Sequence, residues 1–163
     1  MMETTGQEVL YVPAGEAAGK GKSLRLMGNR LEIKAASEQT GDAFAVLEYR
    51  MAARTPGPPP HLHRRTEEAF HVLEGQLTFH LDDRSVEAGP GDFVLVPRGV
   101  AHTFENAGGS EARFLEVAAP GSFVGYFEEL LAAMLAGGGP PDPETMAALW
   151  EKYDIVPAEL REG

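Results

Sequence analysis

Residues 57–75, GPPPHLHRRTEEAFHVLEG, decide the fold class and the kind of site, because they join a proline-rich turn to a strand with two histidines and a glutamate. His61 and His63 are two residues apart, so on a strand both side chains point to the same face. Glu68 follows five residues after His63, and an odd separation would place it on the opposite face of a regular strand. We therefore expect a turn or bulge within residues 64–67 that returns Glu68 to the histidine face.

A third histidine lies in a second stretch, residues 91–106, which reads GDFVLVPRGVAHTFEN. His102 of this stretch, together with His61, His63 and Glu68, would supply three nitrogen ligands and one oxygen ligand. The chain contains no cysteine, so a metal site has to be built from histidines and carboxylates. Such a donor set leaves room on an octahedral ion for water, dioxygen or a bidentate substrate. We predict one divalent transition metal ion, and the ligands admit Fe, Ni, Mn, Cu or Zn.

Short apolar runs separated by glycine, proline and aspartate turns dominate the middle of the chain. This spacing is typical of a β-sandwich or barrel. Two further runs near the N-terminus fit edge or lid strands. The predicted strands are 9–12, 31–34, 44–49, 70–73, 77–81, 93–96 and 114–117.

Beyond Pro120 the apolar residues recur at helical spacing. A first helix is predicted to end at the glycine- and proline-rich residues 137–141. Asp142 is a predicted N-cap for a second helix, with Pro143 at its first position. The apolar stripe of this second helix is interpreted as a packing face that covers the barrel or a subunit interface.

Chain length limits the number of domains, and net charge limits the possible partners. The 163 residues suffice for one domain, which we divide into N-terminal strands (1–42), a barrel core (43–118) and a C-terminal helical extension (119–163). The net charge of −11 disfavours nucleic acid and anionic membranes as partners. Residues 1–8 lack the basic and apolar regions of a signal peptide, so we expect a cytoplasmic protein. The apolar tail and the edge strands predict a homodimer.

The two stretches resemble the two motifs of the cupin superfamily. The second stretch has the family's residues at the family's spacing, namely Gly91, Pro97, Gly99, His102 and Asn106. The first stretch departs from the pattern, because only three residues separate Gly57 from the first histidine, where the family has five. We expect the proline-rich segment to do the turning. The resemblance implies an all-β fold, a double-stranded β-helix or jelly-roll barrel, with the metal inside.

A weaker resemblance, in residues 40–49 and 120–130, is to single-domain bacterial cupins grouped with quercetin 2,3-dioxygenases. It implies a dioxygenase-like enzyme in which Glu68 is both ligand and candidate general base. Phe70 and Val72 share the face of Glu68, and Phe104 shares that of His102, so these three side chains are the predicted substrate-binding residues. Two alternatives stay open: a redox-independent isomerase, decarboxylase or lyase, and a non-catalytic module that binds a small molecule or metal.

The other polar residues near the first motif have simpler interpretations. Glu67 and the two arginines 64 and 65 are expected in a solvated loop. His71 and His80 lie outside both motifs, and strand parity turns His71 away from the metal. We expect both histidines to have surface or interface roles.

Overall fold

The computed structural model describes residues 9–18 and 22–161. Its strands begin and end at residues that the sequence assigns to turns. The strands of this part of the chain are β1 (Ser23–Leu26), β2 (Asn29–Ala35), β3 (Ala45–Met51), β4 (Thr55–Pro56), β5 (His61–Leu62), β6 (Glu67–Glu74), β7 (Leu77–Leu81), β8 (Arg84–Ala88), β9 (Phe93–Val96), β10 (His102–Asn106), β11 (Ala112–Ala119) and β12 (Val156–Pro157). The helices are α1 (Ser37–Thr40), α2 (Gly125–Gly137) and α3 (Pro143–Lys152), and a 3-10 turn, Gly121–Val124, precedes α2. Residues 1–8, on which the signal-peptide prediction depends, lie outside the described residues.

These strands form two antiparallel sheets that pack face to face. The first sheet has the order β1-β2-β3-β11-β6-β9, and the second has the order β12-β5-β10-β7-β8, with β4 also paired to β10. Neighbours in each sheet are mostly distant in sequence, which is the pattern of a jelly-roll barrel. The predicted all-β double-stranded β-helix is confirmed.

The core lies between the sheets, where alternate side chains of each strand point inward. Along β6 the alternation is regular: Glu68, Phe70 and Val72 are buried, whereas Ala69 and His71 are only half-buried on the outside. Four phenylalanine rings from both sheets meet at centroid distances of 5.1 to 6.2 Å. The rings belong to Phe70, Phe79, Phe104 and Phe114. This aromatic cluster joins the two sheets beneath the predicted metal site.

The N-terminal strand prediction is wrong in one place. Residues 9–12 form no strand, and the side chains of Val9 and Tyr11 are 95% and 83% exposed. The outer position of the first sheet is taken instead by β1, which is joined to β2 by a tight turn with positive φ at Met27 and Gly28. The run 31–34 does lie in a strand, β2, as predicted. Glu32 is buried there as well, because Arg30 and Lys34 pair with its carboxylate.

Residues 93–96 form the predicted strand, but they lie at the edge of the first sheet. Phe93 and Leu95 are consequently 63% and 55% exposed. Exposed apolar side chains on an edge strand agree with the homodimer expected from the sequence. The homodimer stays a prediction, and so does the cytoplasmic location.

The two C-terminal helices follow the sequence signals closely. Gly138 ends α2 with φ of 68°, and the Asp142 carboxylate accepts a hydrogen bond of 2.9 Å from the Thr145 amide as the N-cap of α3. Leu149 of α3 is buried, and Met146 and Trp150 line a cavity in the barrel mouth. The stripe is therefore a face packed on the barrel. None of the helices in the described part of the chain is long and apolar enough to span a membrane.

Candidate metal centre

Strand pairing brings the first and third histidines together. In the register of β5 against β10, His61 is directly opposite His102. On its other side β5 pairs with β12, which places Pro157 opposite His61. A two-residue strand is thus held between two neighbours, and the His61 ring is fixed in the barrel interior.

Gly57 allows two segments of the chain to approach closely, which differs from the turning role that motif glycines usually have. A Cβ atom at this position would lie 1.7 Å from the carbonyl oxygen of Phe104 in β10. The absence of a side chain therefore lets the segment before His61 approach the strand that carries His102. The prolines do the turning, as expected, and Thr55–Pro56 pairs with β10.

A bend at the exposed residues 64–65 corrects the strand phase, as the sequence predicted. The amide of Gly99 donates a 2.7 Å hydrogen bond to the carbonyl oxygen of His63, which fixes the chain just before the bend. Strand β6 then begins at Glu67, and Glu68 points inward. The odd separation between His63 and Glu68 does not place them on opposite faces, because the chain leaves the second sheet after β5 and enters the first sheet at β6.

The result is a buried cluster of the four predicted ligands. One ligand atom from each of His61, His63, Glu68 and His102 lies within 4.8 Å of the others. Oε2 of Glu68 lies 2.9 Å from Nε2 of His102 and 3.1 Å from Nε2 of His63. These distances suit a set of donors that converge on one ion.

The hydrogen bonds behind the rings determine which nitrogen faces the cluster. The Nδ1 atoms of His61, His63 and His102 lie 2.8, 2.8 and 2.9 Å from the backbone carbonyl oxygens of Pro59, Asp154 and Val100. A carbonyl oxygen can only accept, so each Nδ1 carries a proton, and each neutral ring has its lone pair on Nε2.

Nε2 of His63 has no hydrogen-bond partner although it is buried. A buried nitrogen lone pair without a partner is costly in a folded protein, and a metal ion would satisfy it. The ring orientations and the donor types therefore fit a divalent transition metal.

Burial and neighbouring charges tune the protonation of the cluster. Burial, reinforced by His102, lowers the pKa of His61 to about 4, so its ring is neutral at neutral pH. Burial alone would raise the pKa of Glu68, but the adjacent His102 and His63 rings favour the charged carboxylate, outweigh burial and hold that pKa well below the usual range. At neutral pH Glu68 is therefore a carboxylate, which is the form that binds cations.

Sequence reasoning missed a second buried acid, Glu116 of β11. Its side chain contacts Glu68, and burial together with the negative charge of Glu68 raises its pKa well above the usual value. The surroundings therefore favour the protonated form of Glu116, in which it is able to donate to the Glu68 carboxylate. The only signal in the sequence is a glutamate at an inward position of an alternating strand, between Phe114 and Ala118.

The cluster opens into a cavity of about 460 Å³. His61, Glu68 and Glu116 form part of its wall, and the rest is mainly apolar and aromatic. The aromatic lining comes from Tyr49, Phe104, Phe123, Tyr126, Phe127 and Trp150. Much of this lining belongs to α2 and α3, so the helical extension closes the mouth of the barrel.

The predicted substrate-binding residues have different locations. Phe104 lines the cavity. Phe70 and Val72 do share the face of Glu68, but both are 1% exposed and lie in the core beneath the cavity, outside its lining. They support Phe104 from below, because the Phe70 and Phe104 rings lie 5.5 Å apart.

The remaining polar residues of the motifs lie outside the cavity. Glu67 pairs with Arg98 at 3.3 Å, and the side chain of Arg65 is exposed near Asp154. His71 is on the outer face of β6. His80 also lies on the outside, where it bonds to Ser85 and Glu105 at 2.8 Å each.

The fold and the site define a class of protein. Residues 47–118 match the family model described as the cupin domain. With the jelly-roll topology and both motifs in place, the match identifies residues 47–118 as a cupin domain.

Particular relatives differ in what they do. Quercetin 2,3-dioxygenase of Bacillus subtilis is 31% identical over 125 residues, which are 73% of this chain and 35% of that protein. An oxalate-binding protein of Thermotoga maritima is 32% identical over 73 residues, or 42% of this chain and 60% of that one. The crystal structure of a sugar phosphate isomerase of the cupin superfamily from Silicibacter pomeroyi superposes with a TM-score of 0.50 and 26% identity, covering 56% of this chain and 59% of that one. The chain thus spans about a third of the length of the first relative.

Proposed function

We propose that this cupin is a metal-dependent, dioxygenase-like enzyme that acts on a small organic molecule with an aromatic or enolisable group. Its ion would be one of Fe, Ni, Mn, Cu or Zn, held by His61, His63, Glu68 and His102. The observation that carries the proposal is that the four-residue cluster meets a cavity of about 460 Å³ through His61 and Glu68, and that this cavity is otherwise mainly apolar and aromatic. Such a cavity suits a flat, apolar substrate with a polar end directed at the ion.

Each part of the wall has a task in this proposal. A bound ion would supply adjacent positions for a substrate oxygen and for dioxygen. Glu68, held as a carboxylate, is both a ligand and a group able to accept a substrate proton. The lining aromatics orient the substrate and exclude water from the cluster. The 31% identity to quercetin 2,3-dioxygenase supports this reaction class.

A second candidate is a redox-independent isomerase, decarboxylase or lyase, in which the ion polarises a carbonyl group. The contact between Glu68 and Glu116 favours it, because a proton acceptor and a proton donor then lie side by side. The structural likeness to a sugar phosphate isomerase points the same way. A non-catalytic binding role is the third candidate, supported by the relative that binds oxalate.

Oxygen consumption separates the three candidates. Protein loaded in turn with Fe, Mn, Ni, Cu and Zn is mixed with flavonols and 1,3-diketones, and both oxygen uptake and substrate loss are followed. Uptake with a redox-active metal that is lost in Glu68→Gln supports the dioxygenase. Turnover with Zn, or without oxygen, overturns it in favour of the second candidate. Tight binding without turnover for every metal overturns both enzymes and leaves the binding module.

A further inference from the structure

Four polar side chains cross the inner face of the first sheet on one diagonal. They are Glu68 of β6, Glu116 of β11, Tyr49 of β3 and Asn29 of β2, and all four line the cavity. From each of these residues to the next, the position shifts by one strand across the sheet and by one inward-facing residue along the strand. The diagonal therefore begins at a candidate metal ligand and ends at the far side of the cavity.

The inward positions around the diagonal are apolar. Its flanks are formed by Leu31, Ile33, Leu47, Phe70, Val72 and Phe114. A buried polar group that has no partner destabilises a fold, so an apolar side chain would be the simpler occupant of each diagonal position. A continuous polar line in an apolar wall is what a ligand with polar groups along one edge requires.

The far end of the line is rigid. The Tyr49 ring stacks on Phe114 at a centroid distance of 4.9 Å and meets Phe104 edge-on at 6.3 Å. The amide of Ala52 donates a 3.2 Å hydrogen bond to Oδ1 of Asn29. The Asn29 oxygen is thus engaged, which leaves its NH₂ group as the part of this side chain that can donate.

This arrangement leaves the Tyr49 hydroxyl on the cavity wall. The hydroxyl has a proton that it can donate to a bound molecule. Two diagonal steps, each roughly 7–8 Å between Cβ atoms, separate Tyr49 from Glu68. An acceptor on a ligand bound at the cluster has to extend across the cavity to meet it.

We infer that Tyr49, positioned by the packing of its ring on Phe114 and Phe104, is the specificity-determining residue of a distal subsite. This subsite binds a hydroxyl or carbonyl oxygen on the end of the ligand away from the metal. The inference rests on the proposed function in taking the cavity as the substrate site. It narrows the substrate to an elongated aromatic molecule with chelating oxygens at one end and a hydrogen-bonding oxygen at the other.

The test is a binding experiment on zinc-loaded protein, in which the ligand is not oxidised. The probes are unsubstituted flavonol, with its single hydroxyl beside the keto group, and flavonols with one more hydroxyl on either remote ring. We expect at least one remote hydroxyl to tighten binding by about 10-fold or more. In Tyr49→Phe that gain should disappear, while the affinity for unsubstituted flavonol stays within about threefold.

Tyr126→Phe is the matched control. Tyr126 lines the same cavity from α2, and it does not belong to the polar diagonal of the first sheet. This variant should leave the ratio of the two affinities unchanged, whatever it does to each one. Zinc content and melting temperature are measured for both variants, because removing one oxygen should preserve the fold.

Three results would overturn the inference: equal affinities for the two probes in the wild-type protein, a ratio that survives in Tyr49→Phe, or no binding of any flavonol. Oxygen uptake with diketones is scored independently of these affinities. A failure of the distal subsite is therefore distinguishable from a failure of the proposed enzyme.

Discussion

Oε2 of Glu68 lies between two imidazoles, 2.9 Å from Nε2 of His102 and 3.1 Å from Nε2 of His63. Glu68 lies in β6, His102 lies in β10 and His63 directly follows β5, and all three are buried. Since each imidazole is anchored through Nδ1 to a backbone carbonyl, the Nε2 atoms cannot turn away from the carboxylate. The ligand set is therefore pre-organised, and the loss of a single member has measurable consequences.

The first measurable consequence of losing a ligand concerns the metal content of the protein. The wild-type protein should hold about one divalent ion per chain, and His61→Ala should hold much less, because one of four ligands is gone. Elemental analysis of both proteins, purified without added metal, measures the difference. His71→Ala is the control, since this histidine lies outside the barrel, and it should retain the ion. Equal metal in His61→Ala and wild type would refute the assigned site.

The adjacent residues Glu67 and Glu68 provide a second comparison, of the metal affinity of two variants. Glu68→Gln removes a buried anionic ligand, so metal affinity should fall by about 10- to 100-fold or more. Glu67→Gln removes only a partly exposed carboxylate that pairs with Arg98, and its metal affinity should match wild type. Competition with a chromophoric chelator measures both affinities. Similar losses in the two variants would show that overall negative charge, and not coordination, holds the ion.

The raised pKa of Glu116 predicts a pH dependence of stability in the metal-free protein. The folded state keeps a proton on Glu116 above pH 4.5, where the unfolded chain has released it. The free energy of unfolding therefore loses up to about 1.4 kcal/mol per pH unit as the pH rises from 4.5 toward the folded-state pKa. Glu116→Gln, which stays neutral, should lack this part of the slope and be the more stable protein at pH 8.

Urea unfolding at pH 5 and pH 8 checks this expectation. Relative to wild type, the free energy of unfolding of Glu116→Gln should be higher at pH 8 than at pH 5. A difference that is the same at both pH values would mean that Glu116 is ionised in the folded protein.

Two glycines predict opposite effects of an added methyl group. Gly57→Ala would drive a Cβ atom to 1.7 Å from the backbone oxygen of Phe104, so we expect about 3 kcal/mol or more of destabilisation. Gly137→Ala meets no atom within 4 Å at the end of α2, and it should be neutral or stabilising by up to about 1 kcal/mol. Thermal or urea unfolding measures both. A harmless Gly57→Ala would mean that β10 and the segment before His61 are not held in close contact.

The strands predicted from the sequence correspond to six of the twelve strands in the described part of the chain. They were recognisable because a half-buried strand alternates apolar and polar residues, as in β6 and β7. The prediction failed at residues 9–12, since an apolar run becomes a strand only where a neighbour offers free hydrogen-bonding groups, and β1 occupies that edge. It also did not show that Phe93 and Leu95 would be exposed, because the position of a strand within a sheet depends on distant pairing.

For the candidate site, the sequence by itself determined the candidate ligand set, because His61, His63, Glu68 and His102 lie in short motifs whose spacing encodes which side chains share a face. Only the tertiary structure decided what surrounds that set. Glu116, Tyr49 and Asn29 come from three different strands, and they line one cavity solely because β11, β3 and β2 are adjacent in the first sheet. Phe70 and Val72 were placed on the correct face by strand parity, but their depth beneath Phe104 depends on how the two sheets pack. Local spacing fixes the direction of a side chain, whereas long-range pairing and packing fix its neighbours.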